Sequence, residues 1–507
     1  SQRLDHPLEE EAARRIVTPL ITTWEDRAAA ALEEAFGERE GRRLFTRWVT
    51  PETRSGLYRE ITPPEMVPED VRRLSSLEAR LEARLVPRDG GGFVLHLYSM
   101  HALDLTGTLK TLENLGLGVT DEIRIPIQLP ENRNCFIYRY EIDSPSHIPS
   151  ISEAEERLIE ALRAVDEGRA TDDALNGLIL TVGLTWRQVE MLRTYRNHLL
   201  QIQPTYNVET VNRVFLNNPS AAAAIFRCFA ARFDPAPAGK RGDAVTAAEK
   251  AVQSELSSAV SLTEHEVLRA IYDLIRCSLR TNFFQLPERP VFSIKIDSRK
   301  VEKMRAPAPM IEIYVHSNRL EGVHLRGGLV ARGGIRWSDR HDDFRTEILG
   351  LMQTQMLKNT IIVPVGSKGG FVLKGKVPSP PVLDSWLADR YAEYISGLLD
   401  LTDNIADGMV IHPPEVVRYD EDDPYLVVAA DKGTAHLSNT ANAISLQYGY
   451  WLGDAFASGG ATGYDHKKMG ITARGVWECV KHHFLSLGID IQNQPFTVCG
   501  IGDMAGD

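Results

Sequence analysis

The chain has 507 residues, enough for roughly three domains, with 43% hydrophobic and 25% charged residues and no compositional sign of disorder. Its formal net charge of −12 argues against bulk nucleic-acid binding, although a cleft with its own cationic lining is compatible with it. Five widely spaced cysteines (Cys135, Cys228, Cys277, Cys479 and Cys499) without a C-x-x-C pair indicate neither a disulfide framework nor a zinc site, and no run of about 18 apolar residues offers a membrane span.

A metal-free cytoplasmic protein is therefore expected. The chain begins at Ser1, shows no signal peptide, and is expected to be a piece of something longer. Residues 1–75 read mostly as helix, with Trp24 to Phe36 rich in Ala and Glu and with Pro68-Glu69-Asp70 as a helix start. From 76 to 147 the texture changes. Leu77, Ala79, Leu81, Ala83 and Leu85 alternate with charged residues at the period of a half-buried strand, though Leu77, Leu81 and Leu85 would also suit a helix. The turn Asp89–Gly92 leads into a strand over Phe93–Tyr98. A helix with Leu105, Leu109 and Leu112 on one face ends at Gly116, and strands over Val119–Leu129 and Cys135–Ile142 complete a ββαββ unit. The unit resembles the small ACT-type regulatory domain, some members of which bind amino acids, so an amino-acid effector is a candidate partner.

Residues 148–287 read as a helical domain. Ser152 to Glu155 is a capping-box-like start, and helical periods follow around Leu158–Val165, Trp186–Leu200, Val208–Phe233 and Leu262–Phe284. Pro235–Gly242 is the clearest exposed loop. From Arg289 the pattern is α/β. Strands are expected over Val291–Ile296, Ile311–Val315 and Val323–Val330, the last with Arg332 at its end. A helix over Asp342–Lys358 sets Phe344, Ile348, Leu351, Gln355 and Lys358 near one face. A buried strand, Thr360–Val365, leads to a turn, GSKGG, and Leu426–Ala430 is a strand ending in Asp431-Lys432-Gly433. Finally Phe496–Cys499 reads as a short buried strand before Gly500-x-Gly502-x-x-Ala505, which fits the G-x-G-x-x-G/A dinucleotide turn. The helix and acidic residue of a full Rossmann unit are not in the sequence, so 495–507 is expected to be only its start.

Three cations, Arg332, Lys358 and Lys368, stand among glycines at the ends of these elements, which suggests a small, doubly anionic ligand. Gln355 and Lys358 are three apart and share a helix face. A carboxylate such as Asp431 near several cations stays ionised, and a lysine near other cations gives up its proton more easily, as a base must. A P-loop reading of GSKGG fails, because Gly369 stands where a Walker A motif needs Ser or Thr.

In this order the motifs resemble the substrate domain of the glutamate dehydrogenases, and most closely the very large NAD-specific bacterial class. The resemblance rests on Arg332 before GGIRW, Lys358 in LKN, Lys368 in GSKGG, Gln355 one turn before Lys358, Asp431 in AADKG and Thr472 in GITARGVW. It covers about 290–507, with 288–494 as the substrate domain. It implies NAD as cofactor and the reversible deamination of L-glutamate to 2-oxoglutarate and ammonia. It also implies a homo-oligomer, with Lys368 and Asp431 as catalytic residues and Arg332, Gln355 and Lys358 as substrate ligands. Thr472, Gly500, Gly502 and Ala505 would face the cofactor. The chain departs from the family pattern at Arg332, where smaller members have lysine, at Ser367, where they have glycine, in a slightly shorter gap from Lys358 to Lys368, and in an extra loop around Pro413–Pro424. Two alternatives stay open, a related amino-acid dehydrogenase with another substrate and a regulatory or assembly module with an inactive site.

Overall fold

A computed structural model describes residues 22–49, 56–75, 77, 81–88, 91–129, 133–143, 151–236, 239–285, 291–304, 306–434, 436–463 and 469–500. Ala79, Asp89, Gly90, Gly502 and Ala505 lie outside these residues, as does part of the Pro235–Gly242 loop. The chain divides into two compact units, 1–189 and 190–507.

The first unit opens with helices α1 (Trp24–Phe36), α2 (Glu38–Trp48), α3 (Gly56–Ile61) and α4 (Val67–Ser75). Thr23 and Asp26 form a reciprocal capping box on α1, satisfying backbone donors that have no partner inside the helix. Strands β1 (Leu81–Pro87) and β2 (Phe93–Ser99), helix α5 (Leu105–Asn114), and strands β3 (Gly118–Leu129) and β4 (Arg133–Asp143) follow. The strands form an antiparallel sheet in the order β1-β2-β4-β3. β1 buries alternate residues, as its period requires. Ala28, Leu32, Trp48 and Val71 from the helices share one core with Ile125, Ile127 and Ile137 from the sheet. At its centre the buried Asp70 carboxylate accepts hydrogen bonds from the Tyr58 and Tyr98 hydroxyls, each 2.7 Å long. Helices α6 (Ile151–Asp166) and α7 (Gly177–Thr181) lie C-terminal to this sheet.

The second unit begins inside α8 (Trp186–Ile202) and continues through α9 (Val208–Asn217), α10 (Pro219–Phe233), α11 (Arg241–Ser257) and α12 (Leu262–Cys277). Two expected helical stretches are shorter than their periodicity suggested. Val208–Phe233 breaks at Asn218, because a residue before proline avoids the α conformation and Pro219 instead starts a new helix. Leu262–Phe284 ends at Cys277, after which Ser278–Thr281 pairs as an edge strand, β5.

An eight-stranded sheet dominates this unit. Its strands are β5, β6 (Phe292–Ile296), β7 (Ile311–His316), β8 (Leu320–Arg326), β9 (Ala331–Trp337), β10 (Val365–Leu373), β13 (Val427–Ala430) and β14 (Ala457–Ser458). A separate two-stranded ribbon holds β11 (Asn404–Ala406) and β12 (Met409–Ile411). The sheet order is β14-β13-β9-β10-β8-β7-β6-β5, parallel from β14 to β10 and antiparallel from β10 to β5. Helix α13 (Phe344–Lys358) packs against β10. α14 (Pro380–Leu399) supplies Tyr391, Tyr394 and Ile395 to a core with Ile335, Phe371 and Val428, joined by Ala441 and Ile444 of α15 (Ser438–Gln447). α16 (Ile471–Ser486) follows, with no fully buried residue.

Five local expectations are corrected here. β8 ends at Arg326, not Val330, because β10 lies between β8 and β9 and residues 327–330 must cross its end. Arg332 consequently starts a strand and does not finish one. Thr360–Val365 is no buried strand: residues 359–364 are turns and bends, with Ile361 94% and Val363 78% exposed. The strand is the glycine-rich segment itself. Its glycines answer to close packing and not to a turn, since a Cβ on Gly366 would stand 2.6 Å from the Met356 nitrogen of α13. Lastly, Phe496–Cys499 is irregular and largely exposed, with Val498 70% accessible and no strand beside it among the described residues.

Candidate active site

The parallel half of the sheet places the site by register. Arg332 pairs with Gly366 on one side and Val427 on the other; Gly334 pairs with Ala429, and Ala429 with Ser458. The same offset sets Lys368 beside Gly334. Paired residues share a face, so Arg332, Gly334, Arg336 and Lys368 all project toward α13. Gly334 carries no side chain there. Lys368 therefore reaches across β9 to Asp431, just past the end of β13, and the two form an ion pair.

The Asp431 turn is tied to β9 by several bonds. The Asp431 N–H donates to Thr434 Oγ1 (3.2 Å), the Thr434 hydroxyl to the Ile335 carbonyl (2.7 Å), and the Trp337 N–H to the Lys432 carbonyl (3.1 Å). Asp431 Oδ2 also accepts from Nε of Arg336 at 3.2 Å. Nη1 of Arg336 meets Glu347 of α13 at 3.0 Å, and Glu347 accepts from the Ser338 hydroxyl at 2.6 Å.

Burial pulls the Lys368 ammonium below its ordinary value; Asp431 opposes this, while the charges of Arg336 and Lys358 add to it. For Asp431, burial alone would push the acid upward. The bond and charge of Lys368, the Lys432 backbone N–H and Arg336 outweigh it and hold the carboxyl below the usual range. Burial and the neighbouring cations thus offset the hold of Asp431 on the lysine proton, while the aspartate is kept ionised.

Lys358 stands exposed at the C-terminal end of α13, close enough for its charge to act on Lys368. Gln355, one turn earlier, donates from its amide to Asn359 Oδ1 at 3.2 Å. Arg332 is exposed and lines a cleft of about 680 Å³ with Asp454, Ser458, Gly459, Gly460, Gly463 and Ile471. Neither Lys358 nor Arg332 makes an ion pair among the described residues. Thr472 follows Ile471 in the first turn of α16. Gly500 lies in the exposed segment after α16 and is not brought to the cleft.

Sequence reasoning missed Arg336 and Glu347. The available signal was the period of two, since Arg336 lies four residues after Arg332 on the same strand face. Asp403, His412 and Asp422 have possible metal-ligand atoms within 4.8 Å of one another. Arg280 already grips both Asp403 oxygens, and Arg418 bonds to His412 and Asp422, so this set is read as an ion-pair network.

Fold and site define an α/β domain with a lysine–aspartate ion pair and two exposed cations, Lys358 and Arg332, the latter lining an open cleft. A family model for the catalytic domain of bacterial NAD-glutamate dehydrogenase matches residues 251–507, and one for helical motif 3 of glutamate dehydrogenase matches 170–235. The chain belongs to the bacterial NAD-glutamate dehydrogenase family. It is 41% identical over 502 residues to an NAD-specific glutamate dehydrogenase of Halomonas elongata, covering 96% of this chain and 31% of the relative. The enzyme of the same name from Mycobacterium tuberculosis is 41% identical over 521 residues (97% and 32% covered), and that of Pseudomonas aeruginosa 42% over 503 (96% and 31%). The chain thus spans about a third of the length of these curated relatives.

Proposed function

We propose that the chain forms the substrate-holding part of an NAD-dependent enzyme that oxidatively deaminates L-glutamate. In the overall reaction glutamate, water and NAD⁺ yield 2-oxoglutarate, ammonium, NADH and a proton. The observation that carries this reading is the Lys368–Asp431 pair, set near two exposed cations, Lys358 and Arg332, that have no ion-pair partner among the described residues. Lys358, with the Gln355 amide, holds the α-carboxylate, and Arg332 holds the side-chain carboxylate. Clamping both ends orients Cα and lowers the barrier by positioning. An exposed arginine for the distal carboxylate favours a dicarboxylic substrate over a branched or aromatic one, which comparison of glutamate with leucine in an NADH assay would separate.

NAD, when bound, would supply the acceptor for the hydride of Cα. The residues present fit its nicotinamide end, because Gly459, Gly460 and Gly463 wall the cleft beside Ile471 and leave room for a planar ring near Thr472. Gly500, Gly502 and Ala505 keep the role of the dinucleotide turn. The Lys368 amine takes a proton from the water that attacks the substrate iminium carbon, and Asp431 moves protons to and from the nitrogen.

In this reading 1–75 is an N-terminal helical segment, 76–147 an ACT-like domain, 148–287 a helical domain, 288–494 the substrate domain and 495–507 the start of the coenzyme domain. The antiparallel ββαββ sheet supports the ACT-like assignment. A cleft of about 200 Å³ lined by Leu97, Asp104, Thr108 and Thr111 of this domain and by Asp166 of α6 is the place for an amino-acid effector. Calorimetry with the twenty amino acids on the full-length protein tests this, and the absence of heat from all of them other than the substrate glutamate removes it. A cytoplasmic homo-oligomer completes the proposal; no helix among the described residues is long and apolar enough to cross a membrane.

The test of the catalytic roles is Lys368→Ala in the full-length enzyme. We expect kcat to fall about 10²–10⁴-fold, the usual span for a lost general base, with the KM for glutamate little changed. Near-normal turnover would remove Lys368 from the mechanism.

A further inference from the structure

The mechanism above makes a demand that Lys368 and Asp431 cannot meet alone. A lysine paired to one carboxylate holds its proton tightly, and giving it up would leave Asp431 charged, half-buried and without a counter-ion. The structure contains a third group that resolves this. Arg336 approaches the same Asp431 oxygen, Oδ2, that Lys368 uses. Its outer edge is held by Glu347, which the buried Ser338 fixes in turn. The guanidinium is planar and stays charged at any working pH, so it can bridge two carboxylates and remain in place while the lysine changes its charge.

We propose that Arg336, anchored by Glu347, is a positioning residue that shares Asp431 with Lys368 and thereby frees Lys368 to act as a base. The inference rests on the dehydrogenase reading of this site. It involves no contact between Arg336 and substrate. With two cations on one oxygen, the charge of Asp431 is divided, and the Lys368 proton is held less firmly. When that proton leaves, Arg336 still compensates the aspartate. The charged groups acting on Lys368 are Asp431 from the end of β13, Arg336 from β9 and Lys358 from α13; β8 sets the uncharged Leu325 beside it. Those facing Arg336 are Asp431 and Glu347. Every one of these except Asp431 and Glu347 is a cation, so removing Arg336 has one sign: Lys368 keeps its proton to higher pH.

Two readouts in the full-length enzyme test this. The first is the pH dependence of Lys368 acetylation by acetic anhydride, mapped by mass spectrometry against an exposed reference lysine, which needs no turnover. The second is the pH profile of kcat/KM for glutamate. Arg336→Gln is expected to move the labelling curve and the acidic limb of the profile to higher pH. kcat/KM should fall at least tenfold at neutral pH and recover in part at alkaline pH. Arg336→Lys keeps the charge and is expected to keep the labelling curve of the unaltered enzyme. A labelling curve in Arg336→Gln that superimposes on the unaltered one would overturn the proposal, as would a curve in Arg336→Lys that moves upward. A merely structural tie between β9 and α13 would lower activity equally at every pH. Should the unaltered enzyme fail to reduce NAD with glutamate, the dehydrogenase reading falls, while the labelling curves still report whether Arg336 governs the Lys368 proton.

Discussion

The two halves of the eight-stranded sheet are both rich in charge, and they use it in opposite ways. In the antiparallel half Arg280 grips Asp403 through two bonds of 2.7 and 3.0 Å and Asp420 through a third of 2.7 Å. Lys295 bridges Asp420 and Asp423 at 2.5 and 2.7 Å, and Arg326 closes on Asp423. Nearby, Glu312 lies between His198 (2.9 Å) and Arg345 (2.8 and 2.6 Å). The cations here are buried and matched, so the networks are closed. In the parallel half the Lys368 and Asp431 side chains are 12% and 26% exposed, and Arg332 and Lys358 have no ion-pair partner among the described residues. There Asp431 and Glu347 are the only ion-pair partners of Arg332, Arg336, Lys358 and Lys368 among the described residues. Carboxyl groups are held below their usual range on both sides, so a perturbed acid does not by itself locate a site. The excess of accessible cations does.

The comparison can be broken most directly in the closed half. Asp423→Ala strands Arg326 without a carboxylate in the interior and leaves Lys295 with Asp420 alone, and we expect a loss of about 3–5 kcal/mol, the usual cost of breaking a buried pair, read by chemical denaturation. A loss below about 1 kcal/mol, the range of exposed pairs, would mean that water already reaches the network. Acid sharpens the contrast. Burial alone would raise Asp423 and Glu312, but Arg326 and Lys295 on the former, and Arg345 and His198 on the latter, hold both well below the ordinary carboxylate range. Groups depressed in this way stabilise the fold above their unfolded pKa of about 4. That contribution is lost as pH falls from there through the folded values. Denaturation midpoints should therefore drop steeply below about pH 4, and the acid-dependent part of the drop should shrink in Asp423→Ala. The smallest effect on stability belongs to the open half. Arg332→Gln should leave stability within about 0.5 kcal/mol, as exposed substitutions do, while raising the KM for glutamate about tenfold or more.

Much of this was legible in the residues. α1 occupies the Trp24–Phe36 stretch that the pattern outlined, and β2, β3 and β4 fall within a residue or two of their expected spans, while β1 runs over Leu81–Pro87 where the alternation was read over Leu77–Leu85. Lys368 and Asp431, 63 positions apart, were singled out together and are in contact. The failures have physical causes. GSKGG read as a turn because glycine marks both turns and close approach, and here approach by α13 decides. Ile361, Ile362 and Val363 carry strand propensity but sit on the surface beside Pro364, which has no N–H to give a ladder. β6 and β7 alternate apolar and polar residues, a pattern that ordinarily leaves one face wet. Both strands are buried throughout, because Glu190, Asn197 and His198 of α8, Arg345 of α13 and the acidic loop at 420–423 bring polar partners to the second face. Partners so distant in sequence leave no local periodicity. Arg336 escaped notice because its role depends on Asp431, 95 residues away.

The account's central claim is that the open, cation-rich half of the sheet holds a dicarboxylic substrate over Lys368. A crystal structure of the full-length protein with 2-oxoglutarate tests it most directly. The account predicts one carboxylate on Lys358 and Gln355, the other on Arg332, and the keto carbon facing the Lys368 amine. A ligand bound elsewhere, or bound here with Lys368 turned away from the keto carbon, would contradict it.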